Sequence, residues 1–220
     1  YHIKNKKESI NTTKESNSTH TELENFSIYS RNIGGTLSNK LEIDSPFMSD
    51  ITLTDPTLVA VQEHKRKLLN SKQFKGIMTI KGYELIAHAP AISINTHGVP
   101  SGGMAMWIKT SILNSYYIET KTNTEYLQNI TIRPKKDNTQ AKDSVNIING
   151  YCRPVEDGLV THRNFFKNLE IENKKVKATH KVIVGDYNSR HKITGDIETK
   201  PKGILCFETL DRMQLKCLNC

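Results

Sequence analysis

The run KVIVGDYNSRH, residues 181–191, decides how this sequence folds. Its first part is rich in β-branched residues and predicts a buried strand, and Gly185 permits a bend directly after that strand. The turn then carries Asp186, which can hold a hard cation, and Asn188, whose amide can donate to a phosphate oxygen. Taken alone, an apolar strand that ends in Gly-Asp-x-Asn most often reflects turn chemistry. Whether this segment is a simple turn or part of a functional site depends on the residues found elsewhere in the chain.

Three further polar residues follow predicted strands in the same way. Asn32 follows residues 28–31, Glu63 follows residues 59–62, and Tyr151 follows residues 147–150. Strand ends in one sheet layer can converge on one rim, where a rigid scaffold fixes side chains that point into a crevice.

The residue types at this rim suit one chemistry. Glu63 and Asp186 would supply the oxygen ligands that Mg²⁺ prefers, with room left for waters and a substrate phosphate. Asn32 and Asn188 could orient the phosphate or the attacking water, and the Tyr151 phenol could donate to a non-bridging oxygen. Together they predict metal-assisted phosphodiester hydrolysis.

The remaining pattern predicts an α/β chain with mixed sheets. Several strands are separated by loops or hairpins rather than by helices, which argues against a wholly parallel sheet. The predicted strands are residues 27–32, 57–62, 83–88, 104–109, 126–133, 144–151 and 180–185. The predicted helices are residues 64–74, 161–169 and 203–213, the last with an apolar stripe of Ile204, Phe207, Leu210 and Leu215.

The domain organisation follows from composition. Residues 1–25 are polar and lack apolar periodicity, so we expect a disordered leader there and one folded domain over residues 26–220. The net charge of the chain is +8, and the four Lys of the leader balance its four Glu. The charge therefore belongs to the folded part and favours a polyanionic partner, nucleic acid first, with compositional drift as the alternative.

Compartment and surface signals are weaker. No apolar run approaches the ~20 residues of a membrane-spanning helix, and no secretory segment is visible, so we expect a nuclear or cytoplasmic protein with reduced cysteines. Cys217 and Cys220 form half of a zinc site without two further visible ligands. Lys65 and Arg66 adjoin Glu63 and could contact a phosphate backbone, although short basic clusters are usually solvated.

Five short motifs occur in a fixed order: SRN at 30–32, QE at 62–63, GGMAM at 102–106, YCRP at 151–154 and GDYN at 185–188. This order resembles the endonuclease/exonuclease/phosphatase family, and the resemblance runs from about residue 26 to the end of the chain. The continuation through His191, residues 203–207 and residues 215–219 is similar to the retrotransposon-type, apurinic-endonuclease-like branch.

The resemblance implies a four-layered sandwich of two mixed β-sheets flanked by helices, with Mg²⁺ or Mn²⁺ as cofactor. It implies Glu63 as the principal metal ligand, with Asn32 and Asp186 beside it, and Asn188 and Tyr151 on the phosphate. It further implies DNA as the partner, a monomer, a reverse transcriptase in the parent polyprotein, and a phosphate-facing or structural role for His191. Residues 102–103 would be turn glycines that serve the scaffold rather than the site.

The sequence departs from the family at its end. The resemblance implies an Asp-bearing strand and a Ser-Asp-His segment, neither of which occurs before Cys220, so the last strands are expected to be missing. Three functions therefore stay open: DNA nicking, hydrolysis of small phosphoesters, and an inactive remnant that binds nucleic acid. His64 and His191 are close enough to the rim in sequence to be weighed as substitute bases, but with eight His in 220 residues such proximity is common.

Overall fold

Two four-stranded mixed sheets form the centre of the computed structural model, which describes residues 26–35, 45–66, 79–94, 100–135, 144–154, 159–178 and 180–217. The first sheet contains β1 (Ile28–Asn32), β2 (Leu58–Gln62), β3 (Tyr83–Ala89) and β6 (Met104–Lys109). Between β3 and β6 lies a short antiparallel pair, β4 (Ser93–Ile94) and β5 (Pro100–Ser101). The second sheet contains β7 (Tyr116–Asn123), β8 (Leu127–Pro134), β9 (Val145–Tyr151) and β10 (His180–Asp186).

The two sheets have the same plan. Their strand orders are β1-β2-β6-β3 and β10-β9-β8-β7, and in each sheet the first pair is parallel while the other pairs are antiparallel. Parallel neighbours bring their carboxyl ends to the same edge of a sheet. Each sheet therefore presents one pair of matching strand ends.

In the described part of the chain, three helices cover the outer faces: α1 (Pro46–Thr54), α2 (Leu159–Lys175) and α3 (Pro201–Arg212). Helix α1 begins at Ser45, whose hydroxyl accepts from the Met48 backbone N–H, and Pro46 occupies the first turn, where its missing donor costs nothing. Phe47 and Ile51 of α1 pack on the first sheet, and Phe166 and Leu169 of α2 belong to the core of the second. The helix–sheet–sheet–helix sandwich of mixed sheets confirms the predicted architecture.

The central core lies between the facing sheets. Side chains alternate along each strand, so in β2 Leu58 and Ala60 face the second sheet while Val59 and Val61 face α1. Both faces of β2 are covered, which explains why this strand is a continuous apolar run.

A buried polar bridge joins the sheets. Gln62 donates through Nε2 to Asn149 Oδ1 at 2.6 Å and to Ser30 Oγ at 3.1 Å. Asn149 in turn donates to Gln128 Oε1 at 3.2 Å and to the Val61 carbonyl at 3.3 Å. Because buried polar groups cost free energy unless they are paired, this bridge fixes the register of one sheet against the other.

We expect Gln62→Ala and Asn149→Ala each to lower the free energy of unfolding by about 2 kcal/mol, because each leaves a buried amide without its partner. In the double variant the losses should fall short of additivity by about 1 kcal/mol. Urea unfolding of the four proteins measures this cycle, with Asn114→Ala on an exposed amide as the control. Additive losses would show that the two amides do not act as a bridge.

All seven predicted strands are present, with bounds that differ by one residue at most at either end. The helices predicted at 161–169 and 203–213 are confirmed as α2, which is longer at both ends, and α3, which starts two residues earlier. The sequence pattern did not predict α1, β7 or the two-residue strands β4 and β5; β7 is a half-exposed strand at the edge of the second sheet.

The start of one predicted helix was wrong. Residues 64–66 are not helical, since Lys65 has a left-handed φ of 57°, and the rest of that prediction, residues 67–74, lies outside the described part of the chain. The stripe predicted on α3 was right only in part: Leu210 packs on the core of the second sheet, but Ile204 is 48% exposed, and the buried positions are Gly203, Cys206 and Thr209. The predicted leader, residues 1–25, lies outside the described residues.

Within the described ranges, no helix combines the length and apolar character needed to cross a membrane.

Candidate active site

The carboxyl ends of the two parallel strand pairs meet at one point. Asn32 ends β1 and Glu63 directly follows β2, while Tyr151 and Asp186 are register partners at the ends of β9 and β10. The Asn32 amide nitrogen donates to Asp186 Oδ2 at 2.6 Å and to Glu63 Oε2 at 3.1 Å. One side chain of the first sheet thus holds two carboxylates, one from each sheet.

The orientation of the Asn32 amide is fixed from the other side. Its Oδ1 accepts from the Gly34 backbone N–H at 2.8 Å, so the nitrogen is the end that faces the carboxylates. In this arrangement Asn32 bridges Glu63 and Asp186. Its predicted role as an oxygen ligand to a metal stays a prediction.

Tyr151 lies beside the two carboxylates and is almost fully buried, with 1% of its surface exposed. Burial raises the pKa of its phenol, and the negative charges of Glu63 and Asp186 raise it further, as does a hydrogen bond with Glu63. The phenol therefore keeps its proton at neutral pH and can act as a hydrogen-bond donor.

The turn after β10 is shaped by its own side chains. The Asn188 backbone N–H donates to Asp186 Oδ1 at 3.0 Å, and the Asn188 side chain donates to the Cys152 carbonyl at 2.7 Å. Asn188 has a left-handed φ of 48°, which asparagine tolerates better than most residues. Tyr187 packs against Phe165 and Phe166 beneath the turn. These contacts hold Asp186 at the rim.

The predicted basic residues have different surroundings. Lys65 Nζ lies 3.4 Å from Glu63 Oε1 and places a positive charge at the rim. Arg66 uses its backbone to connect two segments, since its N–H donates to His64 Nδ1 and its carbonyl accepts from Ala91. Phosphate contacts by either side chain stay predictions.

His191 has a structural role in this fold. Its Nδ1 accepts from the Ile193 backbone N–H at 3.1 Å, which caps the short 3₁₀ helix Lys192–Thr194, and its ring packs on Phe207. None of the contacts in the described part of the chain joins His191 to Glu63 or Asp186.

His64 is unsuited to serve as a base. It is fully buried, its Nε2 donates to the Ala89 carbonyl at 3.1 Å and its Nδ1 accepts from Arg66 at 3.0 Å. Burial lowers the pKa of its imidazole to about 4, and the neighbouring His88 lowers it as well. Both nitrogens are occupied, so proton transfer would require the ring to leave its site.

Sequence reasoning did not single out Arg153 as a site residue. Its positive charge lies close enough to Tyr151 to oppose the rise in the pKa of that phenol, and its Nη1 donates to Tyr126 Oη at 2.9 Å. The signal was available in the YCRP motif, where the arginine comes two residues after the predicted phosphate ligand.

The donor set fits a hard, hydrated cation. Two carboxylates within 3.1 Å of one nitrogen can supply one or two ligands and leave the remaining positions to water and phosphate, as Mg²⁺ requires. Among the described residues, no group of three or more His, Cys, Asp or Glu could hold a metal by itself, as a closed zinc site would.

A groove of about 710 Å³ runs from this rim between β1 and β10. Apolar side chains, including Ile28 and Val182, line much of its wall. Its charged lining is mainly basic, with Asp186 as the single acid among the described lining residues. The basic lining residues are Arg31, Lys181, Arg190 and Lys216.

No protein-family model matches the sequence, and no curated protein is similar to it at a significant level. Solved structures do resemble the fold. The endonuclease domain of TRAS1, a telomere-specific non-LTR retrotransposon, is 14% identical with a TM-score of 0.58, over 89% of this chain and 75% of that domain. The AP endonuclease LMAP from Leishmania major is 13% identical with a TM-score of 0.62, over 86% of this chain and 66% of that enzyme.

An AP endonuclease from Archaeoglobus fulgidus is 13% identical with a TM-score of 0.50, over 84% of this chain and 70% of that protein. This chain thus spans about two thirds to three quarters of the length of these three proteins. At such low identity the likeness establishes the fold and leaves the activity to the residues of the site.

Proposed function

We propose that this chain, which has the fold of the endonuclease/exonuclease/phosphatase enzymes, is a Mg²⁺-dependent phosphodiesterase that nicks DNA. The observation that carries the proposal is the amide of Asn32 between the carboxylates of Glu63 and Asp186. Strand ends of two different sheets bring these two carboxylates to the same amide. Such an arrangement is more typical of an active site than of solvated strand ends.

In this proposal, Glu63 and Asp186 hold Mg²⁺, and Asn32 keeps their carboxylates at a fixed separation. A bound Mg²⁺ would polarise the phosphate and stabilise the charge that develops on it. Mn²⁺ would suit the same oxygen donors.

The remaining residues would act on the phosphate and the water. The Tyr151 phenol keeps its proton because its pKa is raised, and it donates to a non-bridging oxygen as charge grows there. Asn188 is anchored to the segment after β9 and orients the phosphate or the attacking water. Lys65, close to Glu63, supplies positive charge at the entrance.

DNA is the favoured substrate for electrostatic reasons. The net charge of +8 suits a phosphate backbone, and the charged lining of the groove beside the site is mainly basic. Resemblance to a retrotransposon endonuclease domain and to two AP endonucleases agrees with this choice. We further propose a monomer that works in the nucleus or cytoplasm, beside a reverse transcriptase in the parent polyprotein.

The test is a nicking assay with the purified chain and supercoiled plasmid. We expect nicked circles in Mg²⁺ or Mn²⁺ and none in EDTA, with much slower hydrolysis of a small phosphoester such as p-nitrophenyl phosphate. Faster hydrolysis of the small phosphoester would overturn the choice of DNA. Binding of Mn²⁺ and DNA without cleavage would instead identify an inactive remnant.

A further inference from the structure

The segment that carries Glu63 has an unfavourable backbone. Glu63 and Lys65 adopt left-handed φ values of 58° and 57°, although neither is glycine. Such conformations cost free energy and persist where surrounding contacts determine them. One such contact is on Glu63 itself, whose carbonyl accepts from the Gly35 N–H at 3.2 Å. The others converge on the residue between them, His64, and on the Lys65 N–H.

Contacts from three directions hold His64. Its backbone N–H donates to the Gly103 carbonyl at 3.2 Å, and the next N–H, of Lys65, donates to the Gly102 carbonyl at 3.0 Å. Its ring is hydrogen bonded to the Ala89 carbonyl and the Arg66 N–H. The ring is also stacked on that of His88, with ring centroids 5.0 Å apart and planes 14° apart.

The ring can occupy this place because residue 103 is glycine. A Cβ on Gly103 would lie 2.5 Å from His64 Cε1 and 2.8 Å from Nδ1, closer than real atoms come. A Cβ on Gly102 would meet no atom nearer than Glu125 Oε2 at 3.8 Å. The two glycines therefore differ in role, and Gly103 is more than the scaffold turn that the sequence suggested.

We propose that His64 is a positioning residue: its ring, seated against Gly103, keeps Glu63 in the left-handed conformation that points the carboxylate at Asn32 and Asp186. This inference rests on the proposed function, because it takes Glu63 as the metal ligand. The ring acts through its shape and its hydrogen bonds, whereas a purely structural histidine would leave the carboxylate of its neighbour unaffected.

The two glycines provide a matched test. Gly102 and Gly103 have φ values of 83° and 88°, so alanine at either position carries a similar backbone penalty, and only Gly103→Ala pushes on the His64 ring. We expect Gly103→Ala to bind Mn²⁺ about 10- to 100-fold more weakly than Gly102→Ala, as for other residues that orient a metal ligand. Isothermal titration calorimetry with Mn²⁺ measures this, and thermal unfolding reports the stability of both variants.

A second pair covers the case in which Gly103→Ala does not fold. His64→Gln retains an amide donor for the Ala89 carbonyl and should keep more of the Mn²⁺ affinity than His64→Ala. If the two variants of a pair both fold and bind Mn²⁺ with equal affinity, the positioning role of His64 is overturned. A wild-type chain that binds no Mn²⁺ would overturn the proposed function instead, so the two failures are distinguishable.

Discussion

Glu63→Gln is expected to reduce DNA nicking in Mg²⁺ on the order of 10³-fold, because it removes one of the two negative charges that hold the metal. Glutamine has nearly the same volume and can still hydrogen bond to Asn32, so the change is confined to charge. The rate of conversion of supercoiled to nicked plasmid measures the effect. Mn²⁺ affinity should fall in parallel.

The control is Glu84→Gln on β3, the same chemical change on an exposed side chain that lies away from the rim. Thermal unfolding of Glu63→Gln should stay close to the wild type, since relief of the repulsion between two nearby carboxylates offsets loss of the partly exposed ion pair with Lys65. Combining it with Asp186→Asn should cost little more activity than either change alone, because members of one catalytic unit are not additive. A Glu63→Gln chain that nicks within a few-fold of wild type contradicts the proposed metal site.

The central strands were predictable because a strand that is buried on both faces is a nearly continuous apolar run in the sequence. Residues 104–109 were assigned with their observed bounds, since β6 is buried on both sides and nearly every position is apolar. The pairing of Asn32 with Glu63 and of Tyr151 with Asp186 also followed from sequence, because parallel strands share the edge at which they end. We expected these ends to lie in one sheet layer, and the structure instead brings the ends of two facing sheets together. The roles of Asn32, Glu63 and Asp186 in metal binding remain predictions.

What sequence could not provide was the local geometry set by distant segments. The run after Glu63 is rich in Lys and Arg and favours a helix, yet the carbonyls of Gly102 and Gly103 capture the N–H groups of Lys65 and His64. These partners lie about forty positions away in sequence. Local propensity carries no information about them, and tertiary hydrogen bonds override it.

The same limit explains Asn32. The spacing of SRN and QE indicated that Asn32 would stand near Glu63, but the direction of its amide depends on Gly34 and on Asp186, 154 positions away. In the fold Asn32 bridges the two carboxylates with its amide nitrogen, and its role as a metal ligand stays a prediction. The direction of the amide follows only from the assembled rim.

The second large effect is expected at Gly185 of β10, whose register partner on β9 is Gly150. Its φ is 143°, and a Cβ there would lie 1.9 Å from the Gly150 carbonyl oxygen and 2.8 Å from the carbonyl carbon. Both groups are backbone atoms in paired strands, so neither can turn aside as a flexible side chain would. Gly185→Ala should lower the free energy of unfolding by more than about 3 kcal/mol.

Gly195→Ala is the matched control, because Gly195 also has a positive φ, 88°, but a Cβ there meets no atom within 4 Å. It should cost about 1–2 kcal/mol, the backbone penalty alone. Urea unfolding of both variants isolates the clash with Gly150 as the difference between them. If both variants lose the same free energy of unfolding, β9 and β10 have room for a Cβ between Gly185 and Gly150, and the close contact does not exist in solution.

The clash should also reach the site, since Asp186 follows Gly185 directly and its carboxylate has to meet the Asn32 amide at 2.6 Å. Under conditions where both variants remain folded, Gly185→Ala should therefore bind Mn²⁺ more weakly than Gly195→Ala. If Gly185→Ala loses stability but keeps wild-type Mn²⁺ affinity, the strand end and the metal site are independent of each other. A weaker affinity of Gly185→Ala for Mn²⁺ would instead show that the close contact between Gly185 and Gly150 positions the Asp186 carboxylate.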